Sequence, residues 1–192
     1  MTTRGDLFVI SGPSGAGKGT LVARVVKRIP HTWVSISATT REPRPREING
    51  VHYYFIGDEE FDHLIEEDGF LEWAAVHTAR YGTLRSKVNE HLDKGEHVIL
   101  EIDVQGALQV KQTMPEAHLV FIEPPSIEEL KRRLHRRATE SDDVIAARMQ
   151  VARVELSQKM KYDTRVVNDN LDKATDELVD YIESQDSNIR RN

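Results

Sequence analysis

The segment from Gly12 to Thr20 carries residue types that can bind a polyphosphate. It follows a short apolar run, Leu7–Ile10, and leads into a stretch of helical character, Thr20–Ile29. A strand, a glycine-rich turn and a helix in this order are the context of a phosphate-binding loop. Glycines allow successive backbone N–H groups to face one anion, and the N-terminus of the following helix adds positive potential. The segment therefore predicts a site for a nucleoside triphosphate.

Lys18 lies where the lysine of such a loop contacts the outer phosphates. The next residue is Gly19, whereas the usual pattern has a serine or threonine whose hydroxyl binds Mg²⁺. We therefore expect Mg²⁺ to be held mainly by nucleotide oxygens, by water and by a carboxylate elsewhere. The residues predicted to contact the triphosphate are Gly12, Pro13, Ser14, Gly15, Ala16, Gly17, Lys18, Gly19 and Thr20.

Asp103 is the candidate for that carboxylate, because it ends the apolar run His97–Ile102. The end of such a strand is a usual place for a carboxylate near Mg²⁺, and Glu101 lies on the same side of the strand, two residues earlier. We predict that Asp103 contacts Mg²⁺ through water, and we assign no residue as a direct ligand.

The composition excludes several other chemistries. The chain has 192 residues and no cysteine, which excludes disulfides, thiol catalysis and cysteine-based zinc sites. Its net charge of −6 argues against a general nucleic-acid binder. The polar N-terminus and the short first apolar run predict neither a signal peptide nor a membrane span, so we expect a cytoplasmic protein.

Basic side chains are concentrated in two groups, which suits a small and highly charged anion. The first contains Arg41, Arg44 and Arg46, and the second spans residues 131–137. Arg41 and Arg44, with Pro43 between them, could clamp one phosphate through their forked donors. Taken alone, this first group would equally fit a solvated basic loop kinked by proline.

Apolar runs alternate with helical patterns along most of the chain, which predicts an α/β fold with a parallel central sheet flanked by helices. The predicted strands are Leu7–Ile10, His97–Ile102, His118–Ile122 and Arg165–Val167. Short alternating segments in residues 35–87 predict a small β-rich insertion. The predicted division is a core of residues 1–34, 88–125 and 151–192, an insertion of 35–87 and a lid region of 126–150, with a C-terminal helix and a frayed tail, Ser184–Asn192, ending the chain.

Further motifs follow the phosphate loop in a fixed order. They are Ser37-Ala-Thr-Thr-Arg41-x-Pro-Arg44, Glu47-x-Asn-Gly-x-x-Tyr53, Phe70-Leu-Glu-Trp-Ala74, Tyr81-Gly-Thr83, Glu101-Ile-Asp-Val-Gln-Gly106, Pro124-Pro-Ser126 and Val167-Asn-Asp169. Together they closely resemble the guanylate kinase family, enzymes that phosphorylate GMP from ATP. The resemblance extends from about Leu7 to Ile182.

The resemblance implies a P-loop nucleoside monophosphate kinase fold in which the insertion binds GMP and a helical lid closes over ATP. It implies Mg²⁺-dependent transfer of the γ-phosphoryl group, giving GDP and ADP, with closure of both mobile parts on the substrates. The net charge and the short apolar runs predict no nucleic-acid or membrane partner, and the oligomeric state is not predicted. dGMP is expected as a second acceptor, because no motif evidently reads the 2′-hydroxyl.

The resemblance implies roles for individual residues, according to their positions in the matching motifs. The match implies that the GMP phosphate is bound by Arg41, Arg44, Tyr53 and Tyr81, and the guanine by Ser37, Glu72, Thr83 and Asp103. Arg133 and Arg137 match lid arginines, Arg148 an arginine of the transfer site, and Asn168 a position near adenine. The implied catalytic set is Lys18, Arg41, Asp103, Arg133, Arg137 and Arg148.

Two other functions remain open at this point. A guanylate-kinase-like module that binds peptides would lack turnover, but such modules typically have damaged nucleotide loops. A related kinase acting on a ribose phosphate would lack the guanine-binding set, which Ser37, Glu72 and Thr83 supply here.

Overall fold

The computed structural model describes residues 4–137 and 142–185. Its centre is a five-stranded sheet in which every pair of neighbouring strands is parallel. The strand order is β2-β7-β1-β8-β9, so the strand that leads into the phosphate loop is the middle one. These strands are β1 (Leu7–Ser11), β2 (Thr32–Val34), β7 (His97–Glu101), β8 (His118–Glu123) and β9 (Thr164–Val167). The predicted parallel sheet is therefore confirmed.

Helices cover both faces of this sheet, as the alternating pattern predicted. The described helices are α1 (Lys18–Arg28), α2 (Asp58–Glu66), α3 (Arg85–Asp93), α4 (Val104–Thr113), α5 (Ile127–Arg137), α6 (Asp142–Ser157) and α7 (Leu171–Gln185), with a 3₁₀ turn at Lys159–Lys161. Of these, α1 and α7 pack on one face of the sheet, α3 and α4 pack on the other, and α2 packs on the insertion. Ser126 starts α5 by accepting a hydrogen bond at Oγ from the Glu129 N–H at 3.0 Å.

The core has two halves, one on each face of the sheet, and β1 contributes to both. Leu7 and Val9 pack into the half that includes α3 and α4, whereas Phe8 and Ile10 pack into the half that includes α1 and α7. Since successive side chains of a strand point to opposite faces, a central parallel strand must be apolar throughout. This requirement explains the uninterrupted apolar run before the phosphate loop.

A second sheet lies within residues 35–87, where the sequence predicted a β-rich insertion. It has the order β4-β3-β6-β5 and combines one parallel pair, β3 with β4, and two antiparallel pairs. The strands are β3 (Ala38–Thr39), β4 (Tyr54–Phe55), β5 (Phe70–Val76) and β6 (Ala79–Leu84). Phe61 of α2 packs against Phe70 and Ala38 to give this part its own small core.

The strand β2, the predicted lid region and the predicted tail differ from the sequence analysis or lie partly outside the described residues. β2 was not predicted, because it is a three-residue edge strand whose side chains are only partly buried. Of the predicted lid region, residues 138–141 lie outside the described residues. Of the predicted frayed tail, only Ser184 and Gln185 are described, and both belong to α7.

Candidate active site

The phosphate loop joins the carboxyl end of β1 to the N-terminus of α1. Gly12 adopts a φ of 140°, and a Cβ there would lie 2.3 Å from the carbonyl oxygen of Ile122 on β8. A side chain at this position would therefore collide with the neighbouring strand. The loop is thus fitted to β8 as well as to β1.

Lys18 begins α1 and turns back over the loop. Its Nζ donates to the carbonyl oxygens of Gly12 at 2.6 Å and of Pro13 at 3.3 Å. The ammonium charge is therefore held at the loop. Arg148 of α6 reaches the same loop, since its Nη2 lies 3.2 Å from Ser14 Oγ. Two of the predicted cationic residues thus meet at the phosphate loop.

A cavity of about 310 Å³ opens beside the loop, on the side where the sequence analysis expected the adenine of ATP. Asn168 lies in its wall and donates from Nδ2 to the Ala16 carbonyl oxygen at 2.8 Å. Arg133 of α5 lines it too, donating from Nη2 to the Asn168 carbonyl oxygen at 3.0 Å. Its Nε donates to Glu129 at 2.8 Å. The predicted donor-side residues Arg133 and Asn168 are therefore in direct contact.

Two further arginines, Arg136 and Arg137, lie at the end of α5. Arg136, in the second basic group, also lines this cavity. The side chain of Arg137, predicted to act beside Arg133, lies outside the described residues.

The residues expected to bind the acceptor phosphate form an aromatic and cationic cluster on the insertion. The Arg41 guanidinium carbon lies 5.2 Å from the centre of the Tyr53 ring, and the Tyr53 and Tyr81 rings meet edge to face at 5.9 Å. Arg41 also makes a two-point ion pair with Glu47, with N–O distances of 2.8 and 3.0 Å. Arg44 is exposed, and its backbone N–H donates to the same carboxylate.

The Arg41–Glu47 pair shifts the pKa of both partners. Hydrogen bonding to Arg41, followed by the Arg44 N–H, lowers the pKa of Glu47 to about 2. Hydrogen bonding to Glu47 raises the pKa of Arg41 further above its ordinary value. Both groups are therefore ionised at any pH near neutrality. The sequence analysis quoted Glu47 within a motif but gave it no role.

A second carboxylate, Glu72, is buried in the insertion. Only 9% of the residue is exposed, and its Oε1 accepts a hydrogen bond from Thr83 Oγ1 at 2.6 Å. Burial raises the pKa of Glu72 above its ordinary value of 4.5, the Thr83 hydrogen bond opposes this rise, and the charge of Asp103 adds to it. Glu72, Thr83 and Asp103, all predicted for the base pocket, are thus electrostatically coupled neighbours.

The other residues predicted near this pocket are placed by the backbone. Asp103 caps α4 by accepting the Gly106 N–H at Oδ1, at 2.8 Å. Ser37 precedes β3, and its carbonyl oxygen accepts the Tyr54 N–H at 2.9 Å. Tyr81 and Thr83 lie two residues apart on β6 and so face the same side of the sheet. One face of β6 therefore carries a residue predicted for the phosphate cluster and one predicted for the base pocket.

The residues near Gly19 fit a hard cation held together with a nucleotide. A Cβ built at Gly19 would lie 3.2 and 3.3 Å from the two carboxylate oxygens of Glu101. Carboxylate oxygens are ligands that Mg²⁺ prefers, and the carboxylate adjoins the place from which a serine or threonine hydroxyl would otherwise project. Asp103, whose Oδ1 accepts the Gly106 N–H at the start of α4, stays the predicted carboxylate, and Glu101 is a second candidate.

Glu155 of α6 is a further titratable group in this region that the sequence analysis missed. It lines a cavity of about 560 Å³ together with Asp103 and Gln158. Burial raises its pKa, the charge of Lys18 lowers it, and that of Asp103 raises it again. It belongs to none of the quoted motifs, so no sequence signal marks it.

Within the described residues, no helix is both long enough and apolar enough to cross a membrane.

The fold and the site together define a class of protein. A phosphate loop at the carboxyl end of a central parallel strand, an inserted small sheet with an arginine–tyrosine cluster, and arginines from two further helices are the parts of a P-loop nucleoside monophosphate kinase.

Comparison with known proteins narrows this class to one family. A family model described as guanylate kinase matches residues 4–185. A guanylate kinase of Streptomyces coelicolor is 52% identical over 176 residues, covering 92% of this chain and 89% of that protein. One of Desulfitobacterium hafniense is 47% identical over 187 residues, covering 97% and 94%. The chain belongs to the guanylate kinase family.

A solved structure supports the same conclusion at the level of the fold. The crystal structure of guanylate kinase from Anaplasma phagocytophilum superposes with a TM-score of 0.73 at 29% identity. The superposition covers 97% of this chain and 88% of that one.

Proposed function

We propose that this chain transfers the γ-phosphoryl group of ATP to GMP, giving ADP and GDP, with Mg²⁺ bound alongside the ATP and with dGMP as a second acceptor. The observation that carries the choice of acceptor is the buried Glu72–Thr83 pair, which shares one face of β6 with the Arg41–Tyr53–Tyr81 cluster. A carboxylate pocket for a base and a cationic cluster for a phosphate suit the two ends of one nucleotide.

Glu72 accounts for the preference for guanine. Guanine presents two adjacent donors, N1–H and the 2-amino group, and one ionised carboxylate accepts both. The Thr83 hydroxyl holds Oε1 of that carboxylate in place at 2.6 Å. Adenine would direct a lone pair at the carboxylate and leave it without a partner. A buried polar site that loses its partner can discriminate by about 10⁴–10⁵-fold in favourable cases.

The phosphoryl transfer needs no general base from the protein. The phosphate of a nucleoside monophosphate has a second pKa of about 6, so near neutral pH its oxygen attacks without losing a proton. The protein then contributes positioning and neutralisation of charge. Lys18 and Arg148 supply positive charge at the phosphate loop, and Arg133 supplies it from α5.

Bound Mg²⁺ would further neutralise the charge of the transferred group. Glu101, beside Gly19, and Asp103, at the start of α4, are the residues that would hold it.

The cationic residues of the site come from four separate segments. Lys18 lies on α1, Arg41 on the insertion, Arg133 on α5 and Arg148 on α6. Bringing them together around one phosphoryl group requires closure after both substrates bind, and closure also keeps water from that group.

The test is an ADP-release assay with ATP and Mg²⁺ in which GMP, AMP, CMP and UMP are offered separately. Turnover with GMP alone is the expected result. Turnover with a different nucleotide would mean that the base pocket is misassigned. GMP binding without turnover of any acceptor would favour a binding module over an enzyme.

A further inference from the structure

Among the described residues, Glu47 is the acidic side chain that pairs with Arg41. Its carboxylate accepts hydrogen bonds from Nη1 of Arg41 at 2.8 Å and from Nη2 at 3.0 Å. This forked arrangement fixes the plane of the guanidinium as well as its position. Both side chains are largely shielded from solvent, with 18% of Arg41 and 17% of Glu47 exposed. This shielding distinguishes the pair from an ordinary surface ion pair, which contributes little.

Glu47 is itself anchored to the loop that carries the second arginine. Its Oε2 accepts the backbone N–H of Arg44 at 2.7 Å, and its own N–H donates to the Arg44 carbonyl oxygen at 3.0 Å. The carboxylate therefore joins the side chain of Arg41 to the backbone at Arg44. Its position is set by the turn from residue 44 to 47.

The ion pair also keeps Arg41 against the aromatic rings of the insertion. The guanidinium carbon lies 5.2 Å from the Tyr53 ring centre and 5.6 Å from that of Phe55. A long arginine side chain has many rotamers, and without the carboxylate the guanidinium would have to be ordered by the ligand itself. An arrangement ordered in advance binds more tightly, because that cost no longer falls on the binding step.

We propose that Glu47 is the positioning residue of the acceptor-phosphate clamp: it holds the Arg41 guanidinium in the orientation that receives the phosphate of GMP and ties it to the backbone at Arg44. The inference rests on the proposed function, since it assumes that GMP is the acceptor. It adds a residue that binds no substrate atom and acts through Arg41.

Two ligands that differ only in the phosphate separate positioning from general structural support. The affinities of GMP and of guanosine would be measured by calorimetry for the wild type and for Glu47→Gln, which keeps the shape but removes the charge. We expect the affinity for GMP to fall by roughly tenfold to a hundredfold, with guanosine binding and the KM for ATP unchanged. Glu47→Asp, which keeps the charge on a shorter side chain, should lie between wild type and Glu47→Gln and serves as the second variant if Glu47→Gln does not fold.

Glu42→Gln is the matched control. Glu42 is exposed in the same loop, and Arg41 contacts its backbone carbonyl oxygen, which the substitution retains. This variant should bind GMP as the wild type does.

Three outcomes would overturn the inference. Tighter binding of GMP by Glu47→Gln would mean that the carboxylate competes with phosphate for Arg41. Unchanged GMP binding would mean that Arg41 is positioned without the charge of Glu47. Equal losses for GMP and guanosine would mean that Glu47 only supports the fold. Failure of the wild type to bind GMP would instead reject the proposed function, so the two failures are distinguishable.

Discussion

Glu101 fills the space beside Gly19: a Cβ at Gly19 would lie 3.2 and 3.3 Å from its two carboxylate oxygens. The phosphate loop lacks a hydroxyl at this position, and the end of β7 brings an acidic side chain to the same place. We therefore expect the carboxylate to take over part of the role of the missing hydroxyl in holding the nucleotide's cation.

Substitution of Glu101 should weaken cation binding by the ATP-bound protein. Glu101→Gln is expected to reduce the affinity for Mn²⁺, measured by electron paramagnetic resonance with ATP present, by roughly tenfold. Adding Gly19→Ser to this variant should recover part of the loss, because serine restores a hydroxyl. Glu116→Gln, an exposed residue before β8, is the control. If Asp103→Asn lowers the Mn²⁺ affinity and Glu101→Gln does not, then Asp103 is the metal-holding residue.

Removal of the loop lysine should abolish turnover without unfolding the protein. Lys18→Ala loses the ammonium held at 2.6 Å from the Gly12 carbonyl oxygen, and kcat should fall by at least about 10²-fold. The midpoint of thermal unfolding should stay close to that of the wild type. Lys27→Ala, at an exposed position on the same helix, should retain activity. A near-normal kcat for Lys18→Ala would exclude Lys18 from the mechanism.

Replacement of Glu72 should affect the acceptor far more than the donor. Glu72→Gln removes the charge that accepts from guanine while keeping a group that can bond to Thr83. We expect a large rise in the KM for GMP and little change in the KM for ATP. Equal losses for both nucleotides would show that Glu72 supports the structure and does not read the base.

The raised pKa of Glu72 gives the same prediction a pH dependence. Guanine needs the ionised carboxylate, so affinity should fall as the pH drops through the raised pKa, at a pH above the ordinary value of 4.5. Guanosine is the probe, because it carries no phosphate that titrates near pH 6.

The free energy of unfolding should depend on pH in the opposite direction. The folded state favours the protonated acid of Glu72, so the stabilisation from Glu72 is present below pH 4.5 and is lost as the pH rises through the folded-state pKa. Both dependences should disappear in Glu72→Gln.

Arg133 and Arg132 lie side by side on α5 but should differ in their effect on turnover. Arg133 contacts the Asn168 carbonyl oxygen, whereas 65% of the Arg132 side chain is exposed. Arg133→Ala should lower kcat by up to about 10³-fold with little change in the Kd for GMP, and Arg132→Ala should not. Arg137→Ala is expected to act like Arg133→Ala. If GMP binding weakened instead, these arginines would belong to the acceptor side.

The sequence predicted those parts of the fold that are marked by a pattern in consecutive residues. The buried strands appear as continuous apolar runs because both faces of a parallel sheet are covered, and the phosphate loop is read from nine consecutive residues. β2 gave no such signal, since three partly buried residues at a sheet edge need no distinctive pattern.

The parts of the site that sequence did not predict depend on how side chains meet in space. Asp103 and Glu101 both lie near the end of β7, and only the packing of that strand against α1 shows which carboxylate adjoins Gly19. The role of Glu47 likewise depends on a turn that returns its carboxylate to Arg41, six residues earlier. Motif spacing identifies which residues are present but not which of them are in contact.

The pairing of β1 has a consequence for the order of events during synthesis. Its partners are β7 and β8, so Val9 pairs with Leu100 and Leu119, residues that leave the ribosome long after it. Gly12 is fitted against Ile122, so the phosphate loop cannot take its final shape until β8 has emerged. At about 5–20 residues added per second, the nascent chain carries an unfinished loop for several seconds. The emerging protein is therefore unable to sequester nucleotide until most of the sheet has been made.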